Sequence, residues 1–164
     1  MLTQARLKEV PHYDPDTGVF THRVTRVGRG TQAGQVAGCV DERGYVKIGL
    51  FYKRYWAHRL AWFYMTGAWP QYEIDHINGD KSDMRWCNLR AATLSQNRVN
   101  VGRLANNTSG YKGVHWSKAA QKWQARIEWQ GVSYYLGIYV KIEDAHMAYA
   151  LAAERLHKEF ARVR

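Results

Sequence analysis

A run of small and polar residues divides this chain into two parts with different hydrophobic patterns. Residues 101–110 have the sequence Val-Gly-Arg-Leu-Ala-Asn-Asn-Thr-Ser-Gly, a composition that is typical of a connection between folded elements. The chain has 164 residues, which is enough for two small domains that each bury a core. We therefore predict two domains that are joined by a flexible linker within this run.

The part before the linker is predicted to be rich in short strands and to end in a strand–loop–strand–helix unit. Residues 1–56 alternate strand-like runs with turns, including a hairpin over residues 45–56. A helix is predicted over residues 57–66, because Gly and Pro residues follow it. Residues 73–90 predict two strands with a loop between them. A Thr-x-x-Gln capping box then predicts a short helix over residues 93–100.

The part after the linker has the pattern of a small sheet that is backed by one helix. Strands are predicted over residues 113–116, 122–129 and 134–139, and a helix from about residue 143 to residue 160. Within residues 122–129 apolar and polar side chains alternate, so one face of this strand can pack while the other faces outward. The helix carries an apolar stripe at spacings of three and four residues: Ala145, Tyr149, Ala152, Leu156 and Phe160. We therefore predict a three-stranded antiparallel sheet packed on this helix, and an α+β fold class.

The balance of charged residues indicates a polyanionic partner. The chain has 24 Lys and Arg residues against 14 Asp and Glu residues, a net charge of +10, and both parts share the excess. DNA or RNA is the usual partner of such a surface, although charge for solubility alone would give the same balance. The two cysteines, Cys39 and Cys87, exclude a disulfide framework and disfavour a zinc knuckle. No apolar run is typical of a signal peptide or a membrane span, so we expect an intracellular protein with no membrane partner.

The most informative motif combines a carboxylate, an imidazole and amides in one part of the chain. Asp75-His76-Ile77-Asn78-Gly79-Asp80 is followed by Asn88-Leu89-Arg90 and then by Gln96-Asn97. Hydrolysis of a phosphodiester needs a base that deprotonates water and a divalent cation that neutralises charge on the phosphate. An imidazole suits the first role near neutral pH, and carboxylate and amide oxygens suit Mg²⁺ or Mn²⁺. The motif therefore favours a metal-dependent nuclease over a surface Asp-His pair with ordinary turn and helix Asn residues.

This combination resembles the HNH endonucleases of the ββα-metal fold, most closely their phage and mobile-intron branch. The segment Ala57-His58-Arg59-Leu60-Ala61-Trp62 is also similar to that branch, and the match covers most of residues 8–100. We interpret His58 as a structural residue at a helix start, with a metal ligand as the alternative. The chain departs from many relatives at Met84, where they carry Asn. If that amide bonds the loop backbone, its loss is expected to weaken the site.

The resemblance assigns a role to each residue of the motif. It implies that Asp75 and Asn97 bind one Mg²⁺ or Mn²⁺ ion and that His76 is the general base. It also implies that Asn88 ties the two strands together and orients the loop after His76, so that all four residues belong to the catalytic site. Two further cations of the motif are expected to contact phosphates: Arg90 and Arg98.

Three segments of the second part resemble the AP2 DNA-binding domain over about residues 109–161. They are Ser109-Gly110-Tyr111-Lys112-Gly113-Val114-His115-Trp116, Lys122-Trp123-Gln124-Ala125-Arg126-Ile127 and Tyr135-Leu136-Gly137-Ile138-Tyr139. In that family a three-stranded sheet lies in the major groove of DNA. The resemblance and the outward face of the second strand imply six DNA contacts: Lys112, His115, Gln124, Arg126, Ser133 and Tyr135. Lys112 and Ser133 depart from the Arg of the plant domains, which favours phosphate contact over guanine recognition at Lys112; a solvated polar face is the alternative.

These patterns together predict an HNH endonuclease domain over residues 1–100, with a ββα-metal core at about residues 73–100. A linker follows over residues 101–108, and an AP2-like domain over residues 109–164. The protein is predicted to hydrolyse double-stranded DNA with a single-strand nick as the product of one site per chain. The resemblance implies a homing or phage-encoded enzyme that acts in the bacterial cytoplasm as a monomer or weak homodimer. A non-catalytic AP2-type regulator on an inactive HNH scaffold is one alternative, and an RNA-directed nuclease or RNA binder is another.

Overall fold

A computed structural model describes residues 2–25, 31–102 and 106–163 of the chain. Its internal contacts divide the chain into two compact units, Met1–Ala92 and Thr93–Arg164. Within the described ranges there are four α-helices and several small sheets, a mixed composition that is consistent with the predicted α+β class. No helix in these ranges is long and apolar enough to cross a membrane. The predicted domain boundaries stay a prediction, and residues 103–105 of the predicted linker lie outside the described residues.

The first unit begins with a helix that the sequence analysis did not predict. Its elements are α1 (Gln4–Glu9), β1 (Pro11–Tyr13), β2 (Phe20–His22), β3 (Cys39–Val40), β4 (Val46–Leu50), β5 (Lys53–Trp56), α2 (Ala57–Thr66), β6 (Glu73–His76) and β7 (Leu89–Ala92). The expectation of strands alone before residue 57 is wrong at α1, where the Thr3 hydroxyl accepts a hydrogen bond from the Arg6 amide at 3.2 Å. Helix α2 has the predicted bounds, and it ends because Gly67 adopts a left-handed φ of 76°.

Three small antiparallel sheets organise the strands of the first unit. Strands β1 and β2 form one pair, β3, β4 and β5 form a three-stranded sheet in that order, and β6 pairs with β7. The pairing of Leu50 with Lys53 leaves a two-residue turn between β4 and β5, which confirms the predicted hairpin. In the β6–β7 pair Asp75 lies opposite Arg90. The register of this pair therefore brings two charged residues of the motif together.

One hydrophobic core supports the strands of the first unit. The Tyr13 ring lies 4.7 Å from the Phe20 ring and 5.6 Å, edge-on, from the Tyr64 ring. Ile74 of β6 and Leu89 of β7 belong to the same buried cluster. Burial of an apolar side chain of this size contributes about 1.5–3 kcal/mol. The strand pair that carries the motif is therefore fixed to the core through its apolar positions.

The second unit is a three-stranded sheet with one long helix packed against it. Its elements are α3 (Leu94–Asn100), β8 (Val114–Ser117), β9 (Lys122–Trp129), β10 (Val132–Tyr139) and α4 (Ile142–His157). The sheet is antiparallel, as predicted, and its strand order is β10-β9-β8. The apolar stripe is confirmed, since Ala145, Tyr149 and Phe160 are buried and Ala152 and Leu156 are partly buried against the core; Ala153 and His157 are buried as well. Ala153 and His157 follow Tyr149 by four and eight residues, which keeps them on the face that meets the sheet.

Candidate nuclease site

The carboxylate and the imidazole of the motif lie next to each other in the sequence, at the C-terminal end of strand β6. Asp75 and His76 are the last two residues of β6, and they are only 5 % and 4 % exposed. The Arg90 guanidinium on β7 binds the Asp75 carboxylate, with Nε and Nη2 both 2.8 Å from Oδ2. Cross-strand partners share one face of a sheet, so the register explains this ion pair. Arg90, predicted to contact phosphate, is thus the half-buried partner of the buried Asp75.

The Asn88 side chain cross-links the loop between β6 and β7. Its Oδ1 accepts a hydrogen bond from the Asn78 amide at 2.9 Å. Its Nδ2 donates to Asn78 Oδ1 and to the Asp83 carbonyl, both at 3.0 Å. Asn88 is buried, and hydrogen bonds of this kind contribute about 0.5–1.5 kcal/mol each. One side chain therefore fixes both ends of the loop that follows His76.

Met84, where the chain departs from many relatives, is part of the hydrophobic core. Its side chain is buried, and its carbonyl accepts a hydrogen bond from the Tyr13 hydroxyl at 2.5 Å. Gly18 packs against the same backbone, since a Cβ there would lie 2.5 Å from the Met84 carbonyl carbon. The loop backbone is therefore anchored by Tyr13, Gly18 and Asn88 without an amide side chain at position 84.

Two ring side chains lie next to His76, and a third lies next to one of them. The rings of His58 and Tyr45 lie 5.2 Å and 6.2 Å from the His76 ring, and Trp56 lies 6.2 Å from His58. Burial lowers the pKa of His76 below its usual range, although the Asp75 charge acts in the opposite direction. Burial, with His76 as a neighbour, lowers the pKa of His58 to about 3. Both imidazoles are therefore neutral near pH 7, and a neutral imidazole can accept a proton.

The sequence analysis assigned a role to His58 but none to Tyr45 or Trp56. His58 was interpreted as a residue of the helix start, and it is the second residue of α2. Tyr45 and Trp56 went unnoticed, although their rings lie 5.3 Å apart at the open end of the β4–β5 hairpin. A hairpin brings its two ends together, so aromatic residues at both ends of the predicted hairpin are the signal that could have identified this pair.

Two predicted site residues lie on α3, which belongs to the second unit. Thr93 and Gln96 form the predicted capping box, and on the helix Asn97 is half-buried while Arg98 is exposed. Within the described ranges, no group of three or more His, Cys, Asp or Glu side chains is placed to hold a metal ion. A metal ion in this part of the chain would therefore need amide, water or phosphate oxygens as well. The first unit groups the remaining motif residues: Asp75, His76, Asn88 and Arg90.

Comparison with known proteins identifies the family. The family model described as HNH endonuclease matches residues 55–99, which contain the whole motif. Protein 3.8 of Escherichia phage T7 is 34 % identical to this chain over 115 residues, which is 70 % of this chain and 94 % of that protein. The chain belongs to the HNH endonuclease family. A nuclease domain of this kind indicates DNA as the substrate, and HNH nucleases typically depend on a metal. No solved structure matches this HNH protein.

The second unit of this HNH protein carries a row of polar side chains on the exposed face of its sheet. With its amide oriented to satisfy both neighbours, Gln124 accepts hydrogen bonds from Arg126 Nε and Nη2 and donates one to His115 Nε2, all at 3.0 Å. Tyr135 is the register partner of Arg126 and is 58 % exposed. Five of the six predicted DNA contacts therefore share one sheet face: His115, Gln124, Arg126, Ser133 and Tyr135.

The sixth predicted contact of this HNH protein, Lys112, has a different environment. Its ammonium donates hydrogen bonds to the carbonyls of Val99 and Val101 at 2.6 Å and 2.7 Å. Burial, with Arg162 as a further cation nearby, lowers the pKa of Lys112 to about 8. A cation at these carbonyls also complements the C-terminal end of α3. Lys112 therefore holds the end of this helix within the second unit, and its DNA contact stays a prediction.

Proposed function

We propose that this HNH protein is a metal-dependent endonuclease that hydrolyses one phosphodiester bond in double-stranded DNA and leaves a nick. The observation that carries the proposal is the end of β6, where a buried, neutral His76 follows an Asp75 carboxylate that Arg90 holds in place. The loop held by Asn88 supports it, because catalysis needs its groups fixed before the substrate arrives. The net charge of +10 favours a polyanionic substrate.

The donor set of the motif fits a hard divalent cation. Asp75 offers a carboxylate oxygen and Asn97 an amide oxygen, and Mg²⁺ and Mn²⁺ bind both kinds of ligand. Arg90 fixes the orientation of the Asp75 carboxylate, as outer partners of metal ligands commonly do. We assign Asp75 and Asn97 to the metal. When bound, the cation neutralises charge on the phosphate and on the leaving oxygen.

His76 is assigned the general-base role. Its neutral imidazole accepts a proton from a water molecule, the water oxygen bonds to phosphorus, and the bond from phosphorus to the 3′ oxygen breaks. The leaving oxygen takes a proton from solvent, so the products are a 5′-phosphate and a 3′-hydroxyl. Arg98 is assigned to a phosphate because it is exposed on α3, whereas Arg90 is bound to Asp75.

The sheet of the second unit is assigned to target DNA, in the manner of an AP2 domain. The hydrogen bonds that Gln124 makes with His115 and Arg126 hold three polar groups in one row before any partner binds. Arg and Gln are side chains that contact base edges and phosphates in DNA grooves. Tyr135 and Ser133 extend the same exposed face. Cleavage is thus assigned to the motif residues, and target binding to the sheet of the second unit.

Nicking of supercoiled plasmid tests this function. The protein with Mg²⁺ should convert supercoiled circles to nicked circles, and EDTA should stop the reaction. Asp75→Asn keeps the size of the side chain but removes a charged metal ligand, so its rate should fall by at least about 10–100-fold, the loss that removal of a hydrogen-bond partner of a metal ligand typically causes. An exposed residue of β1 provides the control, since His12→Ala should nick at the wild-type rate. Nicking that persists in EDTA would contradict the metal assignment.

A further inference from the structure

The outer face of the β4–β5 hairpin carries residues that have no assignment in the site described above. Ile48 and Leu50 point into the core of the first unit, so the alternate residues of β4 point outward. The register places Gly49 directly opposite Arg54. The tip of the hairpin carries Tyr52, which is 91 % exposed. We refer to Gly49, Tyr52 and Arg54 as the hairpin face.

The fold itself gives no reason for a glycine at position 49. Its backbone does not have the positive φ that favours glycine, and a Cβ there would meet no atom of the described residues within 4 Å. Glycine within a strand is unfavourable, because it gives up chain entropy and packs no side chain. A strand glycine of this kind often marks a site where another backbone or a ligand approaches closely. The bare patch at Gly49 therefore suits a partner that contacts the strand itself.

The charge next to this bare patch is available to a partner. Arg54 is exposed, and within the described ranges it has no ion pair or hydrogen bond. Lys47, the other outward cation of the hairpin, differs because its ammonium lies 3.0 Å from Asp41 Oδ2 and 4.1 Å from the centre of the Trp56 ring. Arg54 is thus the cation of this face that is left for an anionic group.

The turn at the tip keeps an aromatic ring in solvent. Phe51 and Tyr52 both have positive φ values, 48° and 63°, which non-glycine residues seldom adopt. Turns of this type match the twist of the strands but normally use Asn or Gly. The turn directs Tyr52 away from the core, while Phe51 packs against it. An exposed ring two residues before the Arg54 guanidinium is a combination that suits nucleic acid, where rings contact sugars and bases.

We propose that the hairpin face binds the sugar-phosphate backbone of duplex DNA, with Gly49 allowing close approach and Arg54 contacting a phosphate. This inference rests on the proposed function, since it names a further surface for the same DNA. A two-stranded β-ribbon has dimensions that a DNA groove admits, and the excess positive charge of the chain favours the polyanion over a protein partner. The contact is with the backbone, so it should be independent of DNA sequence.

Binding of a fluorescent duplex in EDTA tests the inference without cleavage. Gly49→Thr should raise Kd by about tenfold, a loss of about 1.4 kcal/mol, because a branched side chain blocks the approach. Its thermal midpoint should equal or exceed that of the wild type, because threonine favours strands and the added atoms meet open space. Arg54→Gln should lower the slope of log K against log salt by about 0.9, the value for one phosphate contact.

The control and the contrary results are distinct for the two proposals. His12→Thr changes an exposed strand residue on another sheet and should leave Kd, salt slope and thermal midpoint unchanged. Suppose that Gly49→Thr binds with the wild-type Kd, that Arg54→Gln has the wild-type salt slope, and that the wild-type protein nicks the plasmid. This result would overturn the hairpin inference and leave the proposed function standing. If the wild-type protein neither binds the duplex nor nicks the plasmid, the hairpin inference and the proposed function both fail.

Discussion

The loop between β6 and β7 and the exposed sheet face of the second unit both consist of polar side chains, but in opposite environments. Asp75, His76 and Asn88 are each at most 6 % exposed, and protein groups bind the side chains of Asp75 and Asn88. Tyr135 and Arg126 on the sheet are exposed. Buried polar groups stabilise a fold only while they remain paired, whereas exposed ones can be exchanged freely. Folding and function should therefore be coupled in the loop and separable on the sheet.

Removal of the Arg90 guanidinium should produce the largest loss of stability. Arg90→Ala leaves the buried Asp75 carboxylate without its cation, and breaking a buried pair in this way costs about 3–5 kcal/mol. Urea unfolding measures the free energy. Arg126→Ala on the exposed sheet is the matched change and should stay within about 0.5 kcal/mol of the wild type. Equal losses for the two variants would contradict the contrast between the regions.

Truncation of Asn88 should affect stability and cutting together. Asn88→Ala leaves the Asn78 amide and the Asp83 carbonyl without their partner, which costs about 1–3 kcal/mol. The loop after His76 should then move, so the rate of plasmid nicking should fall more than the stability loss alone would cause. The exposed Asn106 offers a control, since Asn106→Ala should change neither property. A variant at position 88 that is less stable but nicks normally would show that the loop does not position the base.

Truncation of Gln124 should affect DNA binding and leave stability unchanged. Gln124→Ala removes the group that holds His115 and Arg126 in one row, and the loss of a well-oriented contact to DNA costs about 1–3 kcal/mol in affinity. Fluorescence anisotropy measures Kd, and the thermal midpoint should not change. Gln121→Ala in the neighbouring turn should bind like the wild type. A wild-type Kd for the Gln124 variant would favour a merely solvated sheet face.

The pH dependence of Lys112 should give the smallest effect. Burial lowers the pKa of Lys112 in the folded protein to about 8 from its usual 10.5. Between these pH values Lys112 binds more protons in the unfolded chain, so its contribution to the stability of the second unit should rise with pH in that window. Lys112→Met should remove this rise, which urea unfolding at several pH values would show. The free energy of unfolding of the wild type could instead fall with pH over this window more steeply than that of Lys112→Met. This would mean that the two hydrogen bonds to carbonyls keep the ammonium charged.

The elements that were predicted well are those whose signals are local. Helix α2 and strand β9 have the predicted bounds, and the capping box at Thr93 begins α3 as expected. Helix α1 has only six residues, too few for a hydrophobic period to be visible, so its Thr3 cap was the only signal. The strand–loop–strand pattern gave the order of the site residues along the chain, but not their partners.

The partners within the site depend on register and packing, which a sequence pattern does not contain. Opposition of Asp75 and Arg90 follows from the exact pairing of β6 with β7, so Arg90 was assigned to phosphate instead. The contact of His58 with His76 joins a helix start to a strand end across the core. The burial of Lys112 likewise depends on the position of the C-terminal end of α3, where the Val99 and Val101 carbonyls accept its hydrogen bonds. In each case a long-range contact determines the environment of a residue that the sequence analysis had named.

The most direct test of the account separates binding from chemistry at His76. Single-turnover cleavage of duplex DNA and anisotropy binding in EDTA should be measured on the wild type and on His76→Ala. Loss of a general base lowers a rate by about 10²–10⁴-fold, and we predict a decrease in this range with Kd unchanged. A wild-type cleavage rate for the variant, or a loss of affinity as large as the loss of rate, would contradict the assignment of His76 as the base.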